Sequence, residues 1–187
     1  DLFQLLLKEG QKPKALVISC CDSRVHANQI FNSKIGELFI HRNIANLIPS
    51  PVSNLEVGTL SAIEYGITEL KIPNIVILGH SNCGGIKHAF QQFKENSLDK
   101  NSYVDNWIKI IKPAYEKLKI MNNIEQSITS LEKLSIVNSI VNLLKYKFVN
   151  DLVLDNKLKI HGVWFDMKSG SLMIYNNKNQ QFENLNY

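Results

Sequence analysis

Apolar runs and amphipathic stretches alternate along most of the chain, and this alternation predicts strands followed by helices. Three short apolar runs lie at 15–20, 37–41 and 74–79. Helical spacing of apolar residues follows them, over about 24–32, from a capping box at 53–56 through Leu70, and from Gly84 through Phe93. The third run is apolar throughout, as buried parallel strands are. The pattern therefore predicts a parallel sheet with helices packed on it.

The second half of the chain predicts two longer helices and then a hairpin. The helices are expected at about 103–120 and 127–149. The apolar stripe of the second helix comprises Ile128, Leu131, Leu134, Val137, Val141, Leu144 and Phe148. Two β-rich runs at 158–165 and 171–175 predict an antiparallel pair, and the Asn/Gln-rich tail after them is expected to fray. We therefore predict an α/β fold, a mostly parallel central β-sheet flanked by helices with a C-terminal antiparallel edge hairpin, in one domain over 1–187.

Composition and charge exclude several classes of protein. Hydrophobic residues make up 44% of the 187 residues and charged residues 20%, which is typical of a globular chain. The net charge of +4 is spread over scattered lysines, so we expect no nucleic-acid partner. No apolar stretch is long enough to span a membrane. The chain has three cysteines, and this odd number favours a reducing compartment, so we expect the cytoplasm, or an organelle lumen after removal of a transit peptide.

Two short motifs at predicted strand ends carry the candidate chemistry. Cys20-Cys21-Asp22-Ser23-Arg24 ends the first apolar run, and Gly79-His80-Ser81-Asn82-Cys83-Gly84-Gly85 ends the third. Because parallel strands end at one edge of a sheet, the two motifs are expected to meet there. Thiolates and an imidazole with no obvious fourth ligand are typical of a catalytic zinc site with an open position.

Adjacent Cys20 and Cys21 point to opposite faces if the backbone is extended, so only one of them can join His80 and Cys83. Residues two apart share a face, which groups Cys20 with Asp22 and Arg24. Cys21 is then expected to pack behind them. Taken alone, Asp22 and Arg24 fit a structural ion pair or a helix cap equally well, and a buried cysteine is more often a small hydrophobic residue than a ligand.

In this order the motifs resemble those of the β-class carbonic anhydrases. Cys-x-Asp-x-Arg followed by His-x-x-Cys carries the resemblance. Further matches are Gln11-Lys12-Pro13, Gly36-Glu37-Leu38-Phe39, Arg42-Asn43-Ile44-Ala45-Asn46, Glu64-Tyr65 and the glycines after Cys83. The similarity is strong over residues 10–90 and weaker at His161-Gly162.

The resemblance implies one zinc ion per chain, held by Cys20, His80 and Cys83, and reversible hydration of CO2 to bicarbonate and a proton by zinc-bound hydroxide. It implies that Asp22 orients the hydroxide and that Arg24 keeps the Asp22 carboxylate off the metal. Two thiolates donate more negative charge than imidazoles, so activity is expected to improve as pH rises.

The resemblance also implies the substrate pocket and the assembly. Gln11 and the Gly84 backbone N–H are candidates for holding substrate oxygens, and Phe39, Ile44 and Tyr65 for an apolar wall. Family members build this pocket across a dimer interface, so a homodimer or a dimer of dimers is expected.

The chain departs from the family pattern in three places. A subset of the family carries Trp three residues before the first cysteine, linked to a closed, bicarbonate-controlled state. This chain has Val17 there, so we expect the open form with three protein ligands. The family's N-terminal helical arm appears only in part, and no proton shuttle is evident. His26, His41 and His88 are candidates on position alone, each more simply explained as structural or solvent-facing.

Other functions stay open at the level of sequence. Relatives of this fold hydrolyse carbonyl sulfide or carbon disulfide with the same ligands. A zinc-binding interaction or sensor module without turnover is a further alternative, which the Asp22–Arg24 pair disfavours. A thiol redox protein is disfavoured because the chain has no Cys-x-x-Cys pair.

Overall fold

A six-stranded sheet forms the centre of the computed structural model, which describes residues 2–51, 57–121 and 127–185. The strands are β1 (Ala15–Cys20), β2 (Leu38–Asn43), β3 (Asn74–His80), β4 (Lys159–Asp166), β5 (Ser171–Asn176) and β6 (Gln181–Asn184). Their order is β2-β1-β3-β4-β5-β6. The first four are parallel to one another. Strand β5 pairs antiparallel with β4, and β6 pairs antiparallel with β5. The predicted fold class is confirmed.

Helices cover both faces of this sheet. They are α1 (Leu2–Glu9), α2 (Ala27–Ile30), α3 (Val57–Glu64), α4 (Gly84–Glu95), α5 (Tyr103–Ile108), α6 (Lys112–Ile120), α7 (Ile128–Leu144) and α8 (Lys147–Leu154). Alternate side chains of β1 enter different clusters, Leu16 and Ile18 on one face and Val17 on the other. Burial on both faces explains why the parallel strands are apolar throughout.

The helices begin and end differently from the sequence prediction. The helix expected over 24–32 is the four-residue α2, and the one over 103–120 is broken by a 3₁₀ turn at Lys109–Ile111. The one over 127–149 ends at Leu144, and α8 follows after Tyr146. The predicted capping box at 53–56 lies outside the described residues. Helix α1, which the periodicity did not predict, buries none of its side chains.

The tail is ordered as a strand, so the expectation that it frays after Tyr175 was wrong. Tyr175 pairs with Phe182 across β5 and β6, and their ring centroids lie 5.3 Å apart. Gln180 turns the chain with a φ of +58°. Aromatic cross-strand pairs stabilise antiparallel strands, and this pair outweighs the polar composition of the segment.

The apolar stripe predicted for α7 was also partly wrong, since Val141 and Leu144 are exposed. The helix instead buries Glu132, Ser135, Ile136, Ser139 and Leu143, among others. Small serines on this face let the helix approach the sheet closely.

Glycines on the sheet make the same approach possible. A Cβ on Gly79 of β3 would lie 2.6 Å from Cδ1 of Ile136, and one on Gly162 of β4 would lie 2.9 Å from its Cγ2. Glycine at these two positions therefore leaves room for α7, because the Cβ of any other residue would collide with Ile136. Within the described residues, no helix is long and apolar enough to cross a membrane.

Candidate metal centre

Three side chains that could bind a metal converge at the carboxyl edge of the parallel strands. Cys20 is the last residue of β1, His80 is the last of β3, and Cys83 precedes α4. Their ligand atoms lie within 4.8 Å of one another, and all three residues are buried. The structure therefore brings together the three predicted ligands, which are separated in sequence by up to 63 residues.

The turn between His80 and Cys83 directs both side chains toward one point. Asn82 has a φ of +55°, a left-handed conformation that Asn tolerates better than most residues. Gly85 is the second residue of α4 and lies beside the neighbouring loop, where a Cβ would lie 2.8 Å from Cγ2 of Ile44. The glycine is needed there because any larger residue would push α4 away from that loop.

The distances and hydrogen bonds fit a tetrahedral zinc ion. The two sulfur atoms lie 3.9 Å apart, which is about the 3.8 Å edge of a tetrahedron with ~2.3 Å zinc–sulfur bonds. His80 Nδ1 lies 2.9 Å from the Ser81 carbonyl oxygen and donates to it. Nε2 then carries the lone pair, and it is buried with no hydrogen-bond partner among the described residues. A buried acceptor without a partner is costly, and a metal ion would satisfy it.

The electrostatics of the cluster favour a thiolate at Cys20. The Cys83 thiol donates a hydrogen bond to the Cys20 sulfur, and this holds the pKa of Cys20 well below its ordinary value. The same bond, together with burial, raises the pKa of Cys83. Burial by itself would lower the pKa of His80, but the neighbouring Cys20 thiolate raises it overall. Negative charge is therefore stabilised where a divalent cation would sit.

Asp22 and Arg24 form a two-pronged ion pair beside the cluster. Arg24 Nε donates to Asp22 Oδ1 at 2.9 Å and Nη2 donates to Oδ2 at 2.7 Å. These hydrogen bonds hold the pKa of the Asp22 carboxyl well below its ordinary value. Arg24 Nη2 also donates to the Asn82 carbonyl at 3.3 Å, which links the pair to the turn before Cys83. Asp22 is thus an ionised carboxylate with a fixed orientation.

Two residues that the sequence analysis did not assign to the site support its backbone. Arg42 donates through Nε to the Cys20 carbonyl at 2.9 Å and through Nη2 to the Asp22 carbonyl at 2.7 Å. Glu132 of α7 accepts the Cys83 N–H at 3.0 Å and the Trp164 indole N–H at 3.2 Å. No local sequence pattern signals either role, since Arg42 lies in a strand and Glu132 lies off the apolar stripe that the sequence predicts for its helix.

The candidate substrate residues fall into two groups in the single chain. Gly84 and Ile44 lie near the cluster: a Cβ on Gly84 would meet open space, and Ile44 is exposed next to Gly85. Phe39 and Tyr65 lie together elsewhere, with ring centroids 6.1 Å apart in a surface groove. Phe39 is aligned with Leu16, four residues before Cys20, which is roughly 13 Å along the strand. Gln11 is exposed in the segment before β1.

The remaining cysteine and the candidate histidines have other surroundings. The expectation that Cys21 packs behind the site was wrong: it is exposed, because the chain turns outward once β1 ends at Cys20. His88 contacts Asp105 at 2.6 Å and His41 contacts Thr59 at 3.1 Å, so both tie elements together. His26 is exposed just before α2.

Comparisons with known proteins agree with the geometry. The family model described as carbonic anhydrase matches residues 15–172. Beta carbonic anhydrase 3 of Arabidopsis thaliana is 38% identical over 172 residues, which is 90% of this chain and 67% of that protein. The solved structure of the β-carbonic anhydrase CcaA superposes with a TM-score of 0.90 at 28% identity, covering all of this chain and 83% of that one.

A third relative is a β-carbonic anhydrase structure from the fungus Sordaria macrospora. It has a TM-score of 0.76 at 30% identity and covers 92% of this chain and 85% of its own. Because the family model spans most of the sequence and these relatives match along nearly all of it, the chain belongs to the β-class carbonic anhydrases.

Proposed function

We propose that this carbonic anhydrase catalyses the reversible hydration of CO2 to bicarbonate and a proton with one zinc ion held by Cys20, His80 and Cys83. The observation that carries the proposal is the convergence of these three ligand atoms, one of which, Nε2 of His80, has no hydrogen-bond partner among the described residues. No carboxylate belongs to this convergent group among the described residues, so a fourth coordination position is left open. Zinc held there would activate a water molecule as a nucleophile near neutral pH.

Asp22 and Arg24 are proposed to orient the reacting water. The lowered pKa of Asp22 keeps its carboxylate ionised and therefore able to accept a hydrogen bond at neutral pH. Arg24 occupies both carboxylate oxygens, which opposes rotation of Asp22 toward the cluster. This arrangement supports the open form expected from Val17.

The substrate pocket is proposed to need two chains. Ile44 and the Gly84 N–H lie beside the cluster, whereas Phe39 and Tyr65 lie too far along the sheet to reach it in one chain. Strand β2 is one edge strand of the sheet and exposes Ile40, and Tyr65 is exposed beside Phe39 of this strand. We propose that a second copy covers this edge, so that its Phe39, Tyr65 and Gln11 complete the apolar wall and the polar contacts of the pocket.

The proposed assembly is a dimer or a dimer of dimers. The Sordaria macrospora relatives are described as tetrameric, which supports a state larger than a monomer. The cysteines at 20, 21 and 83 are all free, which supports the proposal of a reducing compartment such as the cytoplasm.

The test is CO2 hydration measured by stopped flow on zinc-loaded protein between about pH 7 and 9. We expect activity at neutral pH that rises with pH. The matched variant is Asp22→Asn, which keeps the size of the side chain but removes its charge. It should lose most turnover while retaining one zinc per chain.

Each contrary outcome points to a different conclusion. Activity confined to alkaline pH would mean that Asp22 closes the site and that the inference from Val17 is wrong. An absence of hydration activity at every pH in zinc-loaded protein would reject the proposal in favour of carbonyl sulfide or carbon disulfide hydrolysis. Hydrolysis of these two compounds can be measured on the same samples.

A further inference from the structure

Lys133 of α7 occupies an unusual place for a lysine, in a pocket between the helix and the C-terminal strands. Its Nζ lies 4.5 Å from the ring centre of Trp164 and 5.7 Å from that of Phe182. It donates to Met173 Sδ at 3.3 Å, a weak acceptor. Among the described residues, no carboxylate oxygen lies within 4.0 Å of this amine. The lysines that do form ion pairs in the described part of the chain have exposed side chains. The amine is therefore half-buried among groups that solvate it poorly.

The pocket next to Lys133 has room and polar lining for a small anion. Its volume is about 360 Å³, many times that of a three-atom molecule. Besides Lys133, its polar lining comprises Lys117, Ser130, Tyr175, Gln180 and Gln181. The lining thus offers a second ammonium, hydroxyls and side-chain amides, all of which can donate hydrogen bonds to oxygen atoms.

The charges that act on Lys133 oppose one another. Burial lowers its pKa, and this outweighs the charges of Glu132 and Asp166, which favour the ammonium form. Lys117 and the Tyr175 phenol are the other titratable groups that line the pocket. Lys133 consequently has a larger neutral fraction at a given pH than an exposed lysine, and only the neutral amine is a nucleophile.

We propose that Lys133 is a site of reversible carbamate formation with CO2. The nitrogen lone pair attacks the carbon of CO2, one N–C bond forms, and one C=O π pair moves onto oxygen. The nitrogen then releases a proton to water, so that the neutral amine and CO2 have become a carbamate anion and one proton. Starting from the ammonium form, a first proton has already passed to water before the attack. No atom is oxidised or reduced. The Lys117 ammonium, the Ser130 hydroxyl and the glutamine amides stabilise the new carboxylate group. This proposal rests on the proposed function only in assuming that CO2 is present around the protein.

Carbamate formation would reverse the charge of the residue that follows Glu132, a side chain that supports the metal centre. Glu132 precedes Lys133 and accepts the Cys83 N–H, and Trp164 contacts both residues through its indole N–H and its ring. Replacing a cation over the Trp164 ring with an anion beside it weakens a cation–π contact. The indole fluorescence of Trp164 should therefore report the modification.

The experiment traps the carbamate on the zinc-loaded protein. Protein equilibrated with ¹³C-labelled CO2 and bicarbonate is treated with triethyloxonium, which converts a carbamate into a stable ethyl ester, and the labelled peptides are identified by mass spectrometry. The matched variants are Lys133→Arg, which keeps the charge but forms no carbamate under these conditions, and Lys157→Arg, which changes an exposed lysine paired with Asp155. Lys133→Gln serves as a second variant if Lys133→Arg fails to fold.

We expect labelling of Lys133 several-fold above that of Lys157, a ¹³C carbamate resonance lost in Lys133→Arg and kept in Lys157→Arg, and a CO2-dependent change in Trp164 fluorescence. Equal labelling of the two lysines, or a resonance that persists in the Lys133 variants, would overturn the proposal. Because CO2 is supplied directly, the same labelling is expected in Asp22→Asn, so that loss of hydration and loss of the carbamate are separate outcomes.

Discussion

At the scale of single residues, the candidate site depends on groups that hold other groups in place. Arg24 occupies both oxygens of Asp22, Arg42 holds the carbonyls of Cys20 and Asp22, and Glu132 holds the Cys83 N–H. Partners of this kind fix the orientation of metal ligands and of reacting groups, and their loss commonly reduces metal affinity or activity. Cys20 and Cys83 are thus held from β2 and α7, and the Asp22 side chain is held from the turn that follows β1.

The Arg24–Asp22 pair provides the sharpest residue-scale prediction. Arg24→Ala should lower kcat/KM by about 10–100-fold, because Asp22 loses both hydrogen bonds to the guanidinium. Arg24→Lys keeps the positive charge but cannot bind both oxygens in parallel, so its loss should be intermediate. Stopped-flow hydration on samples of equal zinc content measures both. Equal activity of wild type and Arg24→Ala would mean that the pair is structural.

At the scale of secondary-structure elements, helix α7 connects the metal centre to the sheet. It lies on β3 and β4 because Gly79 and Gly162 leave space for Ile136. Close packing of this kind responds to a single added methyl group, since protein interiors have few voids.

The contact between Gly79 and Ile136 can be tested by overpacking and relief. Gly79→Ala should lower the free energy of unfolding by about 1–3 kcal/mol, because its Cβ would lie 2.6 Å from Cδ1 of Ile136. Adding Ile136→Val, which removes that atom, should recover part of the loss. Urea denaturation measures the effect. Gly84→Ala is the matched control, since its Cβ meets open space. If the losses of Gly79→Ala and Ile136→Val simply added in the variant that carries both, the packing argument would be contradicted.

A second element-scale prediction concerns pH. Asp105 at the start of α5 accepts the Asp99 N–H at 2.8 Å and contacts His88 of α4 at 2.6 Å, and these bonds lower its pKa from the ordinary value of 3.8. A lowered folded-state pKa contributes stability that is fully present above the ordinary value of 3.8 and is lost as pH falls through the lower, folded-state pKa.

Asp105→Asn should therefore reduce the free energy of unfolding at pH 7 by more than it does near pH 3. Urea denaturation at the two pH values provides the comparison. His88→Gln, which retains hydrogen-bonding capacity without a titratable ring, shows how much of the effect depends on His88. A destabilisation that is the same at both pH values would reject this account of Asp105.

At the scale of the whole molecule, helix α1 and the neighbouring edge strand β2 both expose apolar side chains. Helix α1 exposes Leu2, Leu5 and Leu7, and a Cβ on Gly36, just before β2, would lie 3.2 Å from Leu6. The edge strand β2 exposes Ile40. Exposed apolar patches of this kind mark interaction sites, in agreement with the proposal that a second copy covers this edge.

The proposed assembly predicts that one charge on β2 separates the chains. Ile40→Glu should yield monomers in sedimentation velocity and lose most hydration activity, because the pocket would lack the partner's Phe39 and Tyr65. Leu154→Glu on α8 changes a residue that is 71% exposed, and it should leave both properties unchanged. An Ile40→Glu protein that sediments like wild type would exclude this edge as the interface.

What the sequence by itself determined is mostly local. The strands β1 and β3 followed from apolar runs, because burial on both faces leaves a continuous signal. The predicted ligands followed from motifs at the strand ends, because parallel strands bring their carboxyl ends to one edge. The ordering of helices and strands around these motifs was sufficient for the fold class.

Tertiary structure decided what depends on distant partners. Glu132 is buried in a helix whose periodicity predicted a different face, because two glycines on the sheet create the space that α7 fills. The strand β6 forms because the Phe182 ring packs against Tyr175 on β5. Cys21 is exposed because the chain turns where β1 ends. Periodicity records the average polarity of a surface, whereas close approach and hydrogen bonding depend on the individual atoms that the fold brings opposite each residue.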